Sequence, residues 1–126
     1  MKAYKLVRKK DNHLYPLFID RKRQYVIGEE REAEFIPTKG FAPRKGFHCC
    51  FYPYAPHLKT ELKSGEKRVW IECDIDDYTT YDRPESQGGR WILANKITVL
   101  RELSSDEVKD ILETERLKWF MHEKGN

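Results

Sequence analysis

The sequence predicts an α+β fold, in which one antiparallel-rich, twisted sheet is joined by a long C-terminal helix and one short helix. Three observations predict it. Residues 68–75 alternate between apolar and polar side chains, residues 46–52 and 91–100 form continuous apolar runs, and Ser104 with Glu107 marks the start of a helix. A length of 126 residues suits a single domain that includes the whole chain.

The N-terminal third carries weaker strand patterns. Residues 3–8 alternate well enough for a first strand, and residues 24–27 form a short third strand that a glycine closes. Residues 14–19 are apolar but contain Pro16, which has no amide donor and therefore indicates an edge strand or an extended segment. Residues 29–45 are rich in charge, proline and glycine, and we expect them to form a surface loop.

Two central strands have clearer patterns. Residues 46–52 lie between a glycine and a proline, which is typical of a buried strand, and alternation places His48 and Cys50 on one face. The opposite face then carries Phe47, Cys49 and Phe51. In residues 68–75 the alternation places four apolar side chains on one face: Val69, Ile71, Cys73 and Ile75.

Two segments predict helices. Residues 55–62 suit one or two turns, which would be the short helix. The long helix begins at Ser104, because Ser104 and Glu107 form a capping box and the acidic first turn suits the positive end of the helix dipole. Its apolar side chains recur at helical spacing and predict packing on the sheet: Val108, Ile111, Leu112 and Trp119.

The composition excludes several classes of protein. Apolar residues make up 39% of the chain and aromatic residues 13%, which is too much for a disordered segment. The net charge of +3 is small and interspersed, so it permits a nucleic-acid partner without favouring one. No apolar run reaches the ~18 residues of a membrane span or resembles a signal peptide. Three cysteines form no disulfide framework, and we expect a cytoplasmic protein.

The cysteine and histidine residues are candidates for a metal site or for a nucleophile with its base. Cys49 and Cys50 are adjacent on a strand and therefore point to opposite faces, so both do not easily bind one ion, and we expect no metal. Cys50 with His48 or His57 as a base is a second candidate, but nothing in the sequence marks an activated thiol. His48 is either a ligand contact or a structural hydrogen-bonding residue.

An acidic cluster offers a third candidate. Glu72 and Asp74 share a strand face, which is how some nucleases present carboxylates to magnesium. Asp76, Asp77 and Asp82 follow them. The alternative is a solvated strand face, which is much commoner, and we therefore expect neither a cofactor nor a catalytic residue here.

The loop between residues 83 and 90 is the strongest candidate for a binding site. Gly88 and Gly89 permit positive φ and close backbone approach to a ligand, and Arg83 and Arg90 suit a phosphate or carboxylate. Glu85 and Gln87 can contact hydroxyl groups or base edges, and Trp91 offers a stacking surface. His48 comes from the predicted strand at 46–52, and Tyr54 and His57 come from the corner after it. Together with the loop residues, these three form the predicted ligand-binding site.

Several of these strings resemble an uncharacterised group of small bacteriophage-encoded proteins. The resemblance extends over residues 40–104 and includes Gly46-Phe47-His48-Cys49-Cys50, Arg68-Val69-Trp70 and Arg83-Pro84-Glu85-Ser86-Gln87-Gly88-Gly89. It implies a phage protein in the cytoplasm of a bacterial host, and it brings no established activity.

A second resemblance is to the ADP-ribosyltransferase fold. Gly46-Phe47-His48-Cys49, Ala55-Pro56-His57-Leu58 and Val69-Trp70-Ile71-Glu72 are similar, in this order, to elements of that fold. The Ser-Thr-Ser element is absent and no glutamate matches the catalytic one. The resemblance therefore implies nucleotide binding rather than catalysis.

We expect a phage accessory protein, with a role against host defences, that binds a nucleotide-like or other anionic small molecule without turnover. The alternatives are a protein that inhibits a host defence enzyme by direct interaction, and a divergent ADP-ribosyltransferase-like or hydrolytic enzyme. Monomers and homo-oligomers both remain open at this point.

Overall fold

The computed structural model of the chain describes residues 1–18, 21–34 and 46–124, with side chains in the C-terminal helix up to residue 118. Most of the predicted loop at residues 29–45, the end of the predicted strand at 14–19 and the side chain of Trp119 lie outside these ranges. The described elements are β1 (Lys2–Lys10), β2 (His13–Tyr15), β3 (Glu30–Glu32), β4 (Phe47–Cys50), β5 (Lys67–Asp82), β6 (Arg90–Glu102) and α1 (Ser105–Lys124).

The strands form an antiparallel sheet whose pairings close into a ring. β5 pairs with β1 along one edge and with β6 along the other, and β4 pairs with both β6 and β1. The order β1–β5–β6–β4 therefore returns to β1, as in a small barrel. The closing contact is weak, because β4 and β1 share the single residue pair Tyr4 and Cys50. β2 and β3 extend the ring on β1 and β6.

The predicted α+β class with antiparallel strands is confirmed, but two details at the N-terminal side are wrong. Residues 24–27 contribute only an isolated bridge from Tyr25 to Leu14, and the third strand forms instead at Glu30–Glu32, inside the predicted loop. Propensity favoured the apolar residues, whereas β3 is formed by its pairing with β6 and by burial of Arg31.

The predicted short helix at residues 55–62 is also wrong, because this segment forms turns. Its backbone serves β5 instead: Thr60 accepts a hydrogen bond from the Arg68 amide, and Glu61 forms a bridge with Lys67. Pro56 also lacks an amide donor for helical bonds.

Strand alternation divides the core into two clusters, and the strand faces are those that the sequence predicts. The inner cluster includes Ala3, Val7, Cys49, Ile71, Cys73, Ile75, Ile92 and Ile97. The outer cluster includes Leu6, Leu17, Cys50, Trp70, Trp91 and Leu103. Val69, Ile71, Cys73 and Ile75 of β5 all face the inner cluster within the ring. Trp70 faces the outer cluster, beneath the start of α1. In β4 the same division holds, with Phe47 and Cys49 inside and Cys50 outside.

The capping box at the start of α1 is confirmed. The Glu107 amide donates to the Ser104 hydroxyl at 3.1 Å, and the Ser104 amide donates to the Glu107 carboxylate at 3.0 Å. Val108 and Ile111 then pack on the outer cluster. Within the described ranges, no helix combines the length and apolar character needed to cross a membrane.

A group of charged residues joins this helix start to the sheet. Glu72 is buried, and its carboxylate lies 3.5 Å from the Lys2 ammonium and 3.4 Å from the Arg101 guanidinium. Arg101 also pairs with Glu107, the capping residue. We call Lys2, Glu72, Arg101 and Glu107 the paired corner. It connects β1, β5, β6 and α1 through charge that is balanced within the protein.

Candidate functional site

A cavity of about 680 Å³ lies at the side of the ring where β4 and β1 pair only once. This volume falls within the range of pockets that hold a small molecule or cofactor. Residues from β1, β4, the turn after β4 and the β5–β6 loop line it. Its polar and aromatic lining includes Lys5, Arg23, Tyr25, Arg31, Phe47, His48, His57, Tyr81, Arg83, Gln87 and Trp91.

The β5–β6 loop presents Arg83 to this cavity. The Arg83 guanidinium carbon lies 4.4 Å from the centre of the Trp91 ring and 5.3 Å from that of Tyr81, so the cation stacks on aromatic faces. Trp91 is itself fixed by a 2.7 Å hydrogen bond from its indole nitrogen to the Gln87 carbonyl. The guanidinium is therefore held in place before any ligand arrives.

Tyr81 connects Arg83 to His48. The Tyr81 hydroxyl lies 2.6 Å from His48 Nδ1 and also hydrogen-bonds to Arg83. Burial raises the pKa of Tyr81, and the Arg83 charge and hydrogen bond oppose that rise. The phenol thus stays protonated at neutral pH and organises two of the polar groups in the cavity.

Lys5 enters the cavity from β1. It lies between Ala3 and Val7, which are in the inner cluster, and its ammonium donates to the His48 carbonyl at 2.9 Å. Burial acts to lower the pKa of Lys5, and Tyr25 and Cys49 act to raise it only when they are ionised, which their own raised pKa values place above neutral pH. At neutral pH the hydrogen bond to the His48 carbonyl is the contact that holds the ammonium.

Arg31 and Tyr25 form a further part of the wall. Arg31 is buried, with its guanidinium carbon 4.5 Å from the centre of the Tyr25 ring. Burial raises the pKa of Tyr25, so this phenol carries no charge near neutral pH and does not offset the charge of Lys5 or of Arg31.

Three carboxylates also line the cavity, and all three are exposed. Glu34 bonds to Arg23 at 3.2 Å, whereas Glu32 and Asp82 form no ion pair with a described residue. Lys5, Arg31 and Arg83 are therefore less exposed than these carboxylates.

The structure brings together five of the ten predicted site residues. Arg83, Gln87, Trp91, His48 and His57 all line the cavity. Burial and the nearby Arg83 lower the pKa of His57, so this imidazole is neutral at neutral pH.

The remaining predicted residues lie elsewhere, and the prediction of a single cleft is corrected here. Tyr54, Gly88 and Arg90 line a second cavity of about 290 Å³, and Trp91 is a wall of both cavities. Arg90 donates to Thr80 at 3.0 Å on that side. Arg83 is the first residue after β5 and Arg90 is the first residue of β6, and the loop between them directs the two side chains to different cavities.

Glu85 and Gly89 line neither cavity. Glu85 begins the 3₁₀ turn Glu85–Gln87, and Gly89 accepts a hydrogen bond from the Arg83 amide that closes the loop. The predicted positive φ is confirmed at both glycines, with values of 98° at Gly88 and 78° at Gly89. A Cβ at Gly88 would lie 3.3 Å from the Trp91 indole nitrogen, so this turn also needs the space that glycine leaves.

Sequence reasoning missed Lys5, Tyr25 and Arg31 as lining residues, whereas Tyr81, which the sequence suggests only as a stacking surface beside the loop, lies in the cavity. A signal existed for Lys5, because it occupies a position whose strand neighbours, two residues away, face the core. Lys5 interrupts the apolar face formed by Ala3 and Val7. A charge on a buried face marks a residue with a task beyond packing.

The cysteines do not form a reactive site. Cys49 is fully buried in the inner cluster and Cys50 lies in the outer one, so they face opposite ways as predicted. Burial raises the pKa of Cys49 to about 11 and that of Cys50 to about 12, and it raises the pKa of Cys73 as well. Among the described residues, no group of histidine, cysteine or acidic side chains is arranged to hold a metal ion.

The acidic cluster of β5 also separates. Glu72 belongs to the paired corner, while Asp74, Asp76 and Asp77 are exposed. Asp74 pairs with the N-terminal amine and Asp77 accepts a hydrogen bond from Asn95. These contacts give the carboxylates structural partners.

Comparison with protein-family models, with curated proteins and with solved structures finds no match to this chain.

Proposed function

We propose that the 680 Å³ cavity binds a nucleotide-like or other anionic small molecule without transforming it. One observation carries the proposal. Lys5 and Arg83 both line this cavity, and neither forms an ion pair with a carboxylate of a described residue.

Removing a cation from water is costly unless an opposite charge compensates it. Among the described residues, Lys5 has one hydrogen-bond partner, the His48 carbonyl, and the other two N–H donors of its ammonium can serve a ligand. The planar face of the Arg83 guanidinium stacks on Trp91, which leaves N–H groups at its edge for hydrogen bonds to a ligand. An anion in the cavity would satisfy both groups.

The aromatic walls favour a ligand that also contains a ring. Trp91 and Tyr25 line the cavity together with Phe47, and flat aromatic faces stack on bases and similar rings. The anionic part and the ring together describe a nucleotide-like molecule.

Binding without turnover agrees with the chemistry of the groups in the lining. Cys50 is the thiol among the described lining residues, and with a pKa raised to about 12 it is protonated at neutral pH. The His48 imidazole is engaged by Tyr81.

The biological setting follows from the resemblance to phage-encoded proteins. We place the chain in the cytoplasm of a bacterial host, as an accessory protein that sequesters a signalling nucleotide and thereby counters a host defence.

Calorimetry of the purified protein tests the proposal against cyclic dinucleotides, ADP-ribose derivatives and NAD. We expect at least one to bind, and Arg83→Met to weaken that binding by about 10- to 100-fold, because a charged hydrogen bond contributes about 1.5–3 kcal/mol. Arg90→Met is the matched control, since Arg90 lines only the second cavity.

Equal losses in the Arg83→Met and Arg90→Met variants would place the ligand outside the 680 Å³ cavity. No binding by any member of the panel would contradict the small-molecule function. Chromatography can detect release of nicotinamide from NAD, and such release would instead indicate an enzyme. The rate of release in His48→Ala would then be compared with that of the wild type.

The second cavity favours another candidate function, the inhibition of a host protein by direct contact. Tyr52 and Tyr54 are 46% and 53% exposed beside Arg90, and exposed tyrosine and arginine residues are enriched at protein interfaces. A stoichiometric host partner that is lost with Tyr54→Ala and kept with Arg83→Met would support this candidate.

A further inference from the structure

Lys5 and Arg83 are two of the four cationic side chains among the described lining residues, and Tyr81 links them. The Arg83 guanidinium carbon lies 5.3 Å from the centre of the Tyr81 ring. The Tyr81 hydroxyl lies 2.6 Å from Nδ1 of His48, whose carbonyl accepts a hydrogen bond from Lys5. Both cations also oppose the rise that burial causes in the pKa of Tyr81 and of Cys50.

Lys5 and Arg83 reach this region from elements that are distant in sequence. Lys5 is on β1 and bonds across the gap to the His48 carbonyl of β4, while Arg83 begins the β5–β6 loop and stacks on Trp91. Two fixed positive charges that converge on one region suit a compact group with two negative charges.

The described neighbouring groups do not neutralise this pair. Tyr25, Tyr81 and Cys50 are protonated at neutral pH because burial raises the pKa of each. The carboxylates of the described lining are exposed, and none pairs with Lys5 or Arg83. Within the described residues, the charge of Lys5 and Arg83 is therefore available to a ligand.

We infer that Lys5 and Arg83 together select a ligand with a phosphate dianion, as in a phosphate monoester or a diphosphate, over a singly charged phosphodiester. The inference rests on the proposed function and adds the charge of the bound group and the role of Lys5. A phosphate monoester carries a charge near −2 above pH 7, because its second pKa is about 6. A cyclic phosphodiester has one negative charge at any pH above its single pKa.

AMP and its 3′,5′-cyclic ester test this inference directly, because they share the base and the sugar and differ in phosphate charge. At pH 7.5 and low salt, we expect calorimetry of the intact protein to give AMP about 10- to 100-fold tighter binding than the cyclic ester. Pyrophosphate and inorganic phosphate serve as probes without a ring.

The variant Lys5→Met should weaken AMP binding by about tenfold and leave the cyclic ester nearly unchanged, so that the preference between them falls. Lys10→Met is the matched control, since Lys10 is an exposed lysine on the same strand and does not line the cavity. The wild-type preference is measured without any variant, so it decides the question even if Lys5→Met does not fold.

Equal affinity of the wild type for AMP and the cyclic ester would overturn the inference and leave the proposed function standing. Binding of a cyclic dinucleotide, with none by AMP, phosphate or pyrophosphate, would have the same meaning. Failure of every anion, cyclic or open, would overturn the proposed function as well.

Discussion

At the paired corner, Glu72 is buried between Lys2 and Arg101, whereas in the cavity Lys5 is partly buried near tyrosine and cysteine side chains. Both residues lie on or beside the β1–β5 ladder. The first charge is balanced inside the protein, and its contacts hold sheet and helix together. The second has no carboxylate partner among the described residues, and the proposed binding of an anion rests on this difference.

The largest effect that we expect is a fall in the unfolding free energy at high pH. It tests whether the uncharged groups near Lys5, such as the Cys49 thiol, are buried. The Cys49 thiol titrates near pH 9 in the unfolded chain and near pH 11 in the folded one, because burial raises its pKa. The stability that this difference contributes is complete below pH 9. Between pH 9 and pH 11 the unfolded state loses its proton first, so about 2 to 3 kcal/mol of unfolding free energy should be lost.

Urea denaturation at pH 8, 9, 10 and 11 measures this loss, and Cys49→Ala should show a smaller fall over the same interval. A wild type whose stability is constant from pH 9 to pH 11 would mean that the surroundings of Cys49, and hence of Lys5, are accessible to water.

The next effect compares the charges of Lys5 and Glu72 directly. Lys5→Met should raise the unfolding free energy of the ligand-free protein by about 1 kcal/mol, because it replaces a partly buried cation that has no described carboxylate partner with an apolar side chain of similar length. Glu72→Gln should lower it by about 1 kcal/mol, because a carboxylate with two cationic partners is lost.

Chemical denaturation at pH 7 gives both values, and each variant is the control for the other. A loss of stability in both would show that Lys5 is as structural as Glu72, and the distinction between the two regions would then be wrong.

The smallest effect concerns the paired corner alone. Ser104→Ala removes the hydroxyl that accepts from the Glu107 amide and should lower the unfolding free energy by about 1 kcal/mol. Circular dichroism during urea unfolding measures it, and ligand affinity should not change. Ser105→Ala is the matched control, because Ser105 is the first residue of α1 and does not form the cap. Equal losses in the two variants would argue against the capping box.

The sequence predicts those features that depend on local order. The faces of β5, the division of β4 and the capping box follow from residues within a few positions of one another, and all three are confirmed. The ring closure is not local, because β4 meets β1 through Tyr4 and Cys50, which are 46 positions apart (50 − 4).

The same limit applies to the candidate site. The loop at residues 83–90 contains the right residue types, but its sequence does not show that Arg90 turns toward the second cavity while Arg83 turns toward the first. Lys5 gains its place in the cavity only when β4 lies beside β1. A residue that appears ordinary in an alternating strand acquires its significance from a distant neighbour.

Trp91 limits how substitutions during evolution can reshape the two cavities. Because one indole is a wall of both cavities, a substitution at this position alters the two volumes together, and neither can be enlarged there without reshaping the other. The Cβ position of Gly88 close to the same indole tightens this coupling. Diversification of one cavity must therefore begin at residues that the other does not share, such as Lys5 and Arg83 on one side or Tyr54 and Arg90 on the other.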